Sequence, residues 1–369
     1  MSGGAAGAAE VTVDSWGIRR TTAAAPERLA AAFALAAGAA SEALAGLAAR
    51  PIEGVVVLGA GEASLAAEAL AALSAPLADM PVVTVDGGEL PRFTGPGTLV
   101  LACSASGDDR ETLDAAEAAV GRGARLVAVS GGGRLTALGT DAGVAVVPAG
   151  QAGGAAERGG AGFLELLAAL LAVADGLGVV PGADEMITAA VRQLEHRREA
   201  LAVPGGLAAE LARRIDRTIP LVHGASGIGW VAARRWKSQV NAWAKAPAFA
   251  ASQPAASYDE VCGFGQNGDV TRQILTLVVL RSDHEPASSG TRFATFAELT
   301  REALAGIVEL RAEGSGALAQ LLDLALVGEL VALHLAAREE IDPGPVPAAD
   351  EIAARVAAGA GADAGSAPR

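Results

Sequence analysis

Two stretches of this 369-residue chain share one pattern: "GVVVLGAGEASLAAEALAAL" at residues 54–73 and "IPLVHGASGIGWVAARRW" at residues 219–236. Each runs from an apolar segment through a glycine turn into a run of helix formers, the signature of a strand, a tight turn and a helix. The turn glycines Gly59 and Gly224 stand nearly half a chain apart, and further strand candidates follow each in comparable order, so the chain reads as an internal repeat.

Working outward, the first half predicts strands at residues 55–58, 82–85, 99–102, 126–129 and 144–147, with helical segments between most of them. The second half predicts strands at 221–223, 261–264, 275–280 and 307–309. Strands alternating with helices imply parallel sheets covered on both faces. The fold class is therefore α/β, with two doubly wound domains, each a parallel sheet flanked by helices. The expected boundaries are a helical segment in 1–49, a first domain over 50–200, a second over 208–340, a C-terminal helix at 341–357 and a disordered tail at 358–369. The segment "VPGGL" within 202–207 breaks the helical pattern and serves as linker.

Half of the residues are hydrophobic but only 3% are aromatic, so the core must be layers of Ala, Val and Leu. A net charge of −14 argues against a nucleic-acid surface. The two cysteines, Cys103 and Cys262, are too few for a disulfide framework, which fits a cytoplasmic protein. The N-terminus lacks the basic flank and apolar centre of a signal peptide. The apolar run at 163–180 contains Glu165 and Asp175 and reads as a buried helix; no membrane partner is expected.

Ligands of open α/β sheets sit at the carboxyl ends of strands, where this chain places its Gly- and Ser-rich turns. "GAGEAS" at 59–64 lacks the third glycine of a dinucleotide fingerprint, although Asp86 could serve as ribose partner; a plain tight turn is the alternative. "CSASGDDRETL" at 103–113 is more informative. Ser104 and Ser106 offer hydroxyls and Gly107 lets backbone N–H groups approach an anion at a helix start. Against that, Asp108 and Asp109 suit an N-cap and compete with phosphate for the same donors.

"SASGDDRETL" resembles the "SYSGNTEETL"-type loop of SIS (sugar isomerase) domains, and "AVSGGGRLTALG" at 128–139 resembles the segment that follows it there. "RWKSQVNAWAKAPAFAASQPAASYDEVCGF" at 235–264 is similar to the pattern "RWKxQxNENAKxPAFxxxxPExNHNEIxGW" of bifunctional phosphoglucose/phosphomannose isomerases. The closing "DPGPVPAADEIAAR" at 342–355 resembles that family's "DPxPVxxIxxLK". The resemblance implies two SIS-type domains, a sugar-phosphate ligand of hexose-phosphate or mannose metabolism, no cofactor or metal, and a homodimer. It assigns Ser104, Ser106, Gly107 and Thr112 to the phosphate, and Gly59, Gly61, Arg158 and Lys245 to the substrate.

Three family residues are replaced. The glutamate of "NENAK" falls on Ala242, the histidine of "NHNE" on Tyr258, and the C-terminal lysine on Ala353. Aldose–ketose isomerisation needs a base to carry a proton between C1 and C2, which alanine cannot be. Glu260 and Tyr258 are the substitute catalytic candidates, with His223 and His284 as further proton shuttles. Arg235 and Lys245 are expected to pair with Glu260 and Asp259, while Trp243 either fills the old pocket or stacks on a sugar ring. Three functions follow: a phosphosugar-binding protein with altered or lost catalysis, an isomerase using Glu260, or a scaffold whose Asp108 and Asp109 have abolished phosphate binding. Replacing Asp108 by Asn is expected to tighten phosphosugar binding; unchanged affinity would show that its carboxylate points away from the ligand.

Overall fold

The computed structural model describes residues 13–44, 46–47, 50–141, 144–150, 162–201 and 205–364. Two helices, α1 (Ile18–Ala23) and α2 (Ala25–Ala43), precede the first strand. Then come β1 (Gly54–Gly59), α3 (Glu62–Ser74), β2 (Val82–Asp86), β3 (Thr98–Ser104), α4 (Arg110–Gly121), β4 (Arg125–Ser130), α5 (Gly133–Asp141) and β5 (Ala145–Pro148). Helices α6 (Gly162–Gly176), α7 (Ala183–Leu201) and α8 (Leu207–Ile215) lead to β6 (Ile219–Ala225), α9 (Ile228–Trp243) and β7 (Phe249–Gln253). The chain closes with α10 (Gly268–Ile274), β8 (Leu275–Arg281), α11 (Ser289–Thr300), β9 (Gly306–Arg311), α12 (Ala317–Arg338) and α13 (Pro347–Ala364).

The first sheet has the order β2-β1-β3-β4-β5 and the second β7-β6-β8-β9, and all the pairings are parallel. Renumbered within each half, the first reads 2-1-3-4-5 and the second 2-1-3-4, so the repeat seen in the two opening stretches extends over four strands. Its glycines have a common cause. A Cβ on Gly59 would lie 2.8 Å from the Ala63 Cβ, and one on Gly224 would lie 1.9 Å from the Gly229 carbonyl oxygen. Each first strand thus ends where the next helix packs back onto it, and a side chain there would push strand and helix apart.

Alternation along the strands sorts the core. Val55, Val57, Leu99, Leu101, Val127 and Val129 face the middle of the molecule, while Val56, Leu58, Val100, Ala102, Leu126 and Ala128 pack against α4 and α5. In the second sheet Val222, Val278 and Val308 face the middle, whereas Leu221, Leu277 and Val279 meet Phe293 and Phe296 of α11. The two inward faces and the helices between them form one hydrophobic cluster. Helix α12 lies in that cluster. By length and apolar composition it could cross a bilayer, yet its residues are buried against the rest of the protein. Helix α6, whose apolar run was read as a buried helix, is buried from Phe163 to Ala174 apart from Glu165.

Three expectations change. Residues 261–264 are not a strand: Glu260–Phe264 is a 3₁₀ turn, and the edge strand is "FAASQ", Phe249–Gln253. That strand is small, polar and partly exposed, so it carries no apolar alternation to announce it. Helix α2 stops at Ala43, before the expected position 49, and the C-terminal helix starts at Pro347 and continues to Ala364. Proline suits the first helical turn, and the alanines of "AAGAGADA" favour continuation into the segment read as disordered tail.

Candidate functional site

Strands β1 and β3 are neighbours whose connections leave on opposite sides of the sheet, so their carboxyl ends form the crevice where such folds take ligands. Gly59 and Gly61 lie at the end of β1, with Gly61 at φ 58°, and the serine-rich loop lies at the end of β3. Ser104 is fully buried. Its Oγ accepts the Gly107 N–H at 2.8 Å and donates to the Asp109 carboxylate. Ser106 Oγ accepts the Asp108 N–H at 3.1 Å, and the Asp108 carboxylate accepts the Arg134 N–H at 3.0 Å, at the start of α5. Thr112, on the first turn of α4, is buried with its hydroxyl unpartnered.

Gly107 locks this loop to the next one. It has φ 77°, its carbonyl accepts the Leu135 N–H at 2.8 Å, and a Cβ would lie 1.9 Å from the Gly132 carbonyl oxygen. Gly107→Ala is expected to cost at least about 1–2 kcal/mol from the left-handed backbone alone, with the clash in addition. A urea unfolding curve measures this; an unchanged midpoint would show that the two loops do not pack so tightly. Cys103, just before the loop, is an unreactive thiol, because burial and the Asp109 charge push its pKa up.

Two adjoining cavities of about 410 and 530 Å³, the first of which lies between the two halves, share Lys237, Ser238 and Ala242 of α9 with Val346 and Ala349 at the start of α13. Gly61 and Glu62 line the first, so it reaches the end of β1; Trp243, nearly buried, also lines it. Lys245 lines the second. Ala353 is exposed one turn beyond Ala349 on the same face of α13. Ala242 thus lines both cavities, while Ala353 lies on the helix whose start lines them.

The floor of this cleft is a buried ion network joining the two halves. Arg235 of α9 donates to Glu62 of α3 and to Glu329 of α12, at 2.6 Å to the latter, and its guanidinium stacks 4.8 Å from the Phe163 ring. This corrects the expected pairing of Arg235 with Glu260 and Asp259: α9 lies on the inner face of the second sheet, turning Arg235 toward the first half. Lys245, at φ 52°, donates instead to the carbonyls of Ala242 and Pro343, the latter at 3.3 Å, and desolvation lowers its pKa. Asp259 accepts its neighbour's N–H, from Glu260, at 2.6 Å.

Burial pushes the Glu62 carboxyl up more than Arg235 holds it down, and Glu329 adds repulsion. A carboxyl raised in the folded state keeps a proton that the unfolded chain has released, so stability falls as pH rises from the ordinary carboxylate range through the raised value. Glu62→Gln is expected to flatten that fall, read from urea midpoints between about pH 4 and 8. An unchanged slope would assign the dependence to another group.

Glu260 and Tyr258 do not line either cleft cavity. Glu260 Oε1 lies 3.1 Å from Nε2 of His223, a fully buried ring packed edge-on against Phe296 of α11. The structure thus joins two candidates, on the sheet face away from α9. Tyr258 is 72% exposed with the Arg292 guanidinium 5.5 Å from its ring, and His284 is exposed in the loop after β8. Arg158 lies outside the described residues. Sequence reasoning missed Glu62 and Glu329 as partners of Arg235, and also the buried Arg197–Asp323 pair, whose Nε–Oδ1 distance is 2.6 Å. The only sequence signal for either was a charged residue inside an otherwise apolar helix.

Paired parallel sheets of matching order, with an interdomain cleft at the strand ends, define the class as a double-domain sugar isomerase (SIS) fold. Residues 206–356 match the family model described as the bacterial phospho-glucose isomerase C-terminal SIS domain. The bifunctional phosphoglucose/phosphomannose isomerase of Caldicellulosiruptor bescii is 28% identical over 315 residues, 84% of this chain and 91% of the relative. The enzyme of the same name from Aquifex aeolicus is 29% identical over 276 residues, 74% of this chain and 80% of the relative. Among solved structures, the C-terminal domain of glucosamine-fructose-6-phosphate aminotransferase from Francisella tularensis superposes with a TM-score of 0.63 at 12% identity, covering 90% of this chain and 98% of that one. The chain is thus similar over most of its length to bifunctional phosphoglucose/phosphomannose isomerases, and its second half matches the SIS domain of bacterial phospho-glucose isomerases.

Proposed function

We propose that this protein binds a hexose phosphate in the crevice between the end of β3 and the cleft of α3, α9 and α13, and that it no longer isomerises it by the family's route. It works in the cytoplasm as a homodimer. The observation carrying this reading is Ala242, which lines the cleft where the family motif puts its glutamate. Among the described residues the one carboxylate lining the same cavity, Glu62, is bound to Arg235. A carboxyl whose oxygens are held by a guanidinium is not free to reach a C–H proton, whatever its basicity.

Calorimetric titration with fructose 6-phosphate, glucose 6-phosphate and mannose 6-phosphate, followed by a coupled isomerase assay, tests this. Binding without turnover supports it. Turnover abolished by Glu260→Gln would favour a second reading, suggested by the Glu260–His223 contact, in which that pair supplies the proton transfer. No binding at all would leave a regulatory or scaffold role.

A further inference from the structure

The loop that the family uses for phosphate is occupied here by the chain itself. Ser104 has one hydroxyl proton, and Asp109 takes it. The family pattern has threonine at this place and asparagine at the place of Asp108, both neutral. Asp108 is engaged elsewhere, on the Arg134 N–H, so it holds α5 and need not move for a ligand to enter. Asp109 differs: its carboxylate is the negatively charged acceptor on the donor that a phosphate oxygen would use. A charge-assisted bond of this kind is roughly twice as strong as one between neutral groups.

We propose that Asp109 is an internal anion that closes the phosphate corner, so that a phosphorylated ligand binds only by displacing this carboxylate from Ser104. The inference rests on the sugar-phosphate reading above and makes Asp109 a determinant of affinity and specificity. Two observations support it independently of the Ser104 contact. The Thr112 hydroxyl, 3% exposed on the first turn of the same helix, has no partner among the described residues, so the closed loop leaves a buried polar group unsatisfied. And the neighbouring strand end also carries a carboxylate, Glu62, bound to Arg235, so a dianion arriving at this edge meets acids already seated on its cations and donors.

The test is titration of inorganic phosphate, fructose 6-phosphate and unphosphorylated fructose into the full chain and its Asp109→Asn and Asp109→Thr variants. Both variants are expected to bind the two phosphates about tenfold tighter or more, with fructose unchanged. The gain should vanish when Ser104→Ala is added. Asp114→Asn removes an equal charge from the exposed side of α4, where Asp114 pairs with Arg110 at 3.4 Å, and should change phosphate affinity less than about twofold. Unaltered or weaker phosphate binding in the Asp109 variants overturns the inference, as does an equal gain in Asp114→Asn. If the parent chain binds no phosphate but Asp109→Asn does, the inference stands and the sugar-phosphate reading falls. If the parent binds fructose 6-phosphate and neither variant improves on it, the reverse holds; if nothing binds, both fall. Because the Asp109 side chain makes no capping hydrogen bond to α4, the unfolding midpoint of Asp109→Asn should fall only by the difference between a charge-assisted and a neutral bond to Ser104.

Discussion

Given fructose 6-phosphate and a coupling enzyme, this protein is expected to turn over at least about 10²-fold slower than a family member bearing the motif's glutamate. Moving a proton between C1 and C2 demands a group that can hold it within hydrogen-bond reach of both carbons, and such a group is worth about 10²- to 10⁴-fold. The position that would supply it is Ala242, on the wall of the cleft. Ala242→Glu is the direct experiment, because the cavity has room and Lys237 and Lys245 lie on the adjoining walls to hold the new charge. A rise in rate on adding the glutamate, without a gain in sugar-phosphate affinity, would show that binding survives and proton transfer is what was lost. A parent rate equal to that of glutamate-bearing members would refute the reading and move attention to Glu260 and His223.

Replacing Arg235 by Met is expected to destabilise the protein by about 3–5 kcal/mol, the largest stability effect of any single charge removal at the cleft. Arg235 is 1% exposed and is the cation between Glu62 and Glu329; without it these two carboxylates, the second buried, repel each other with no other ion-pair partner among the described residues. The Phe163 ring also loses its cation. Urea unfolding measures the loss. The triple change Arg235→Met, Glu62→Gln and Glu329→Gln should recover much of it, since removing all the charges together abolishes the uncompensated ones. If Arg235→Met alone proves neutral, the carboxylates must reach water in the cleft, and the network is no mechanical link between the halves.

What could be read in the chain followed the range of the physics involved. Runs such as "GVVVLG" and "TLVLACS" declare buried parallel strands, and the Gly59 and Gly224 turns declare the repeat, because strand, turn and helix preferences are local. The strand "FAASQ" was hidden, for an edge position asks little of side chains. At the site, the serine loop could be located but not its state: which of two adjacent aspartates takes the Ser104 hydroxyl depends on how the loop docks against Gly132. Arg235 was paired with acids near it in sequence, whereas its partners are 173 and 94 positions away. Only the packing of α9 between α3 and α12 selects them.

The central place of α12 also matters while the chain is being made. Helices α6 and α7 leave the ribosome well before residues 317–338, yet α7 is pinned to α12 through Gln193, Arg197 and the fully buried Asp323. Until synthesis reaches α12, the apolar faces that will receive it stay uncovered, and Arg197 waits without its carboxylate. A nascent chain in that condition is prone to stick to others of its kind. Ending the chain at Gly316 should therefore give aggregates that bind hydrophobic dyes, and a soluble, dye-silent fragment would show that the first half protects itself. The interval between the making of α7 and the arrival of α12 is thus when the growing chain carries the most apolar surface without its cover.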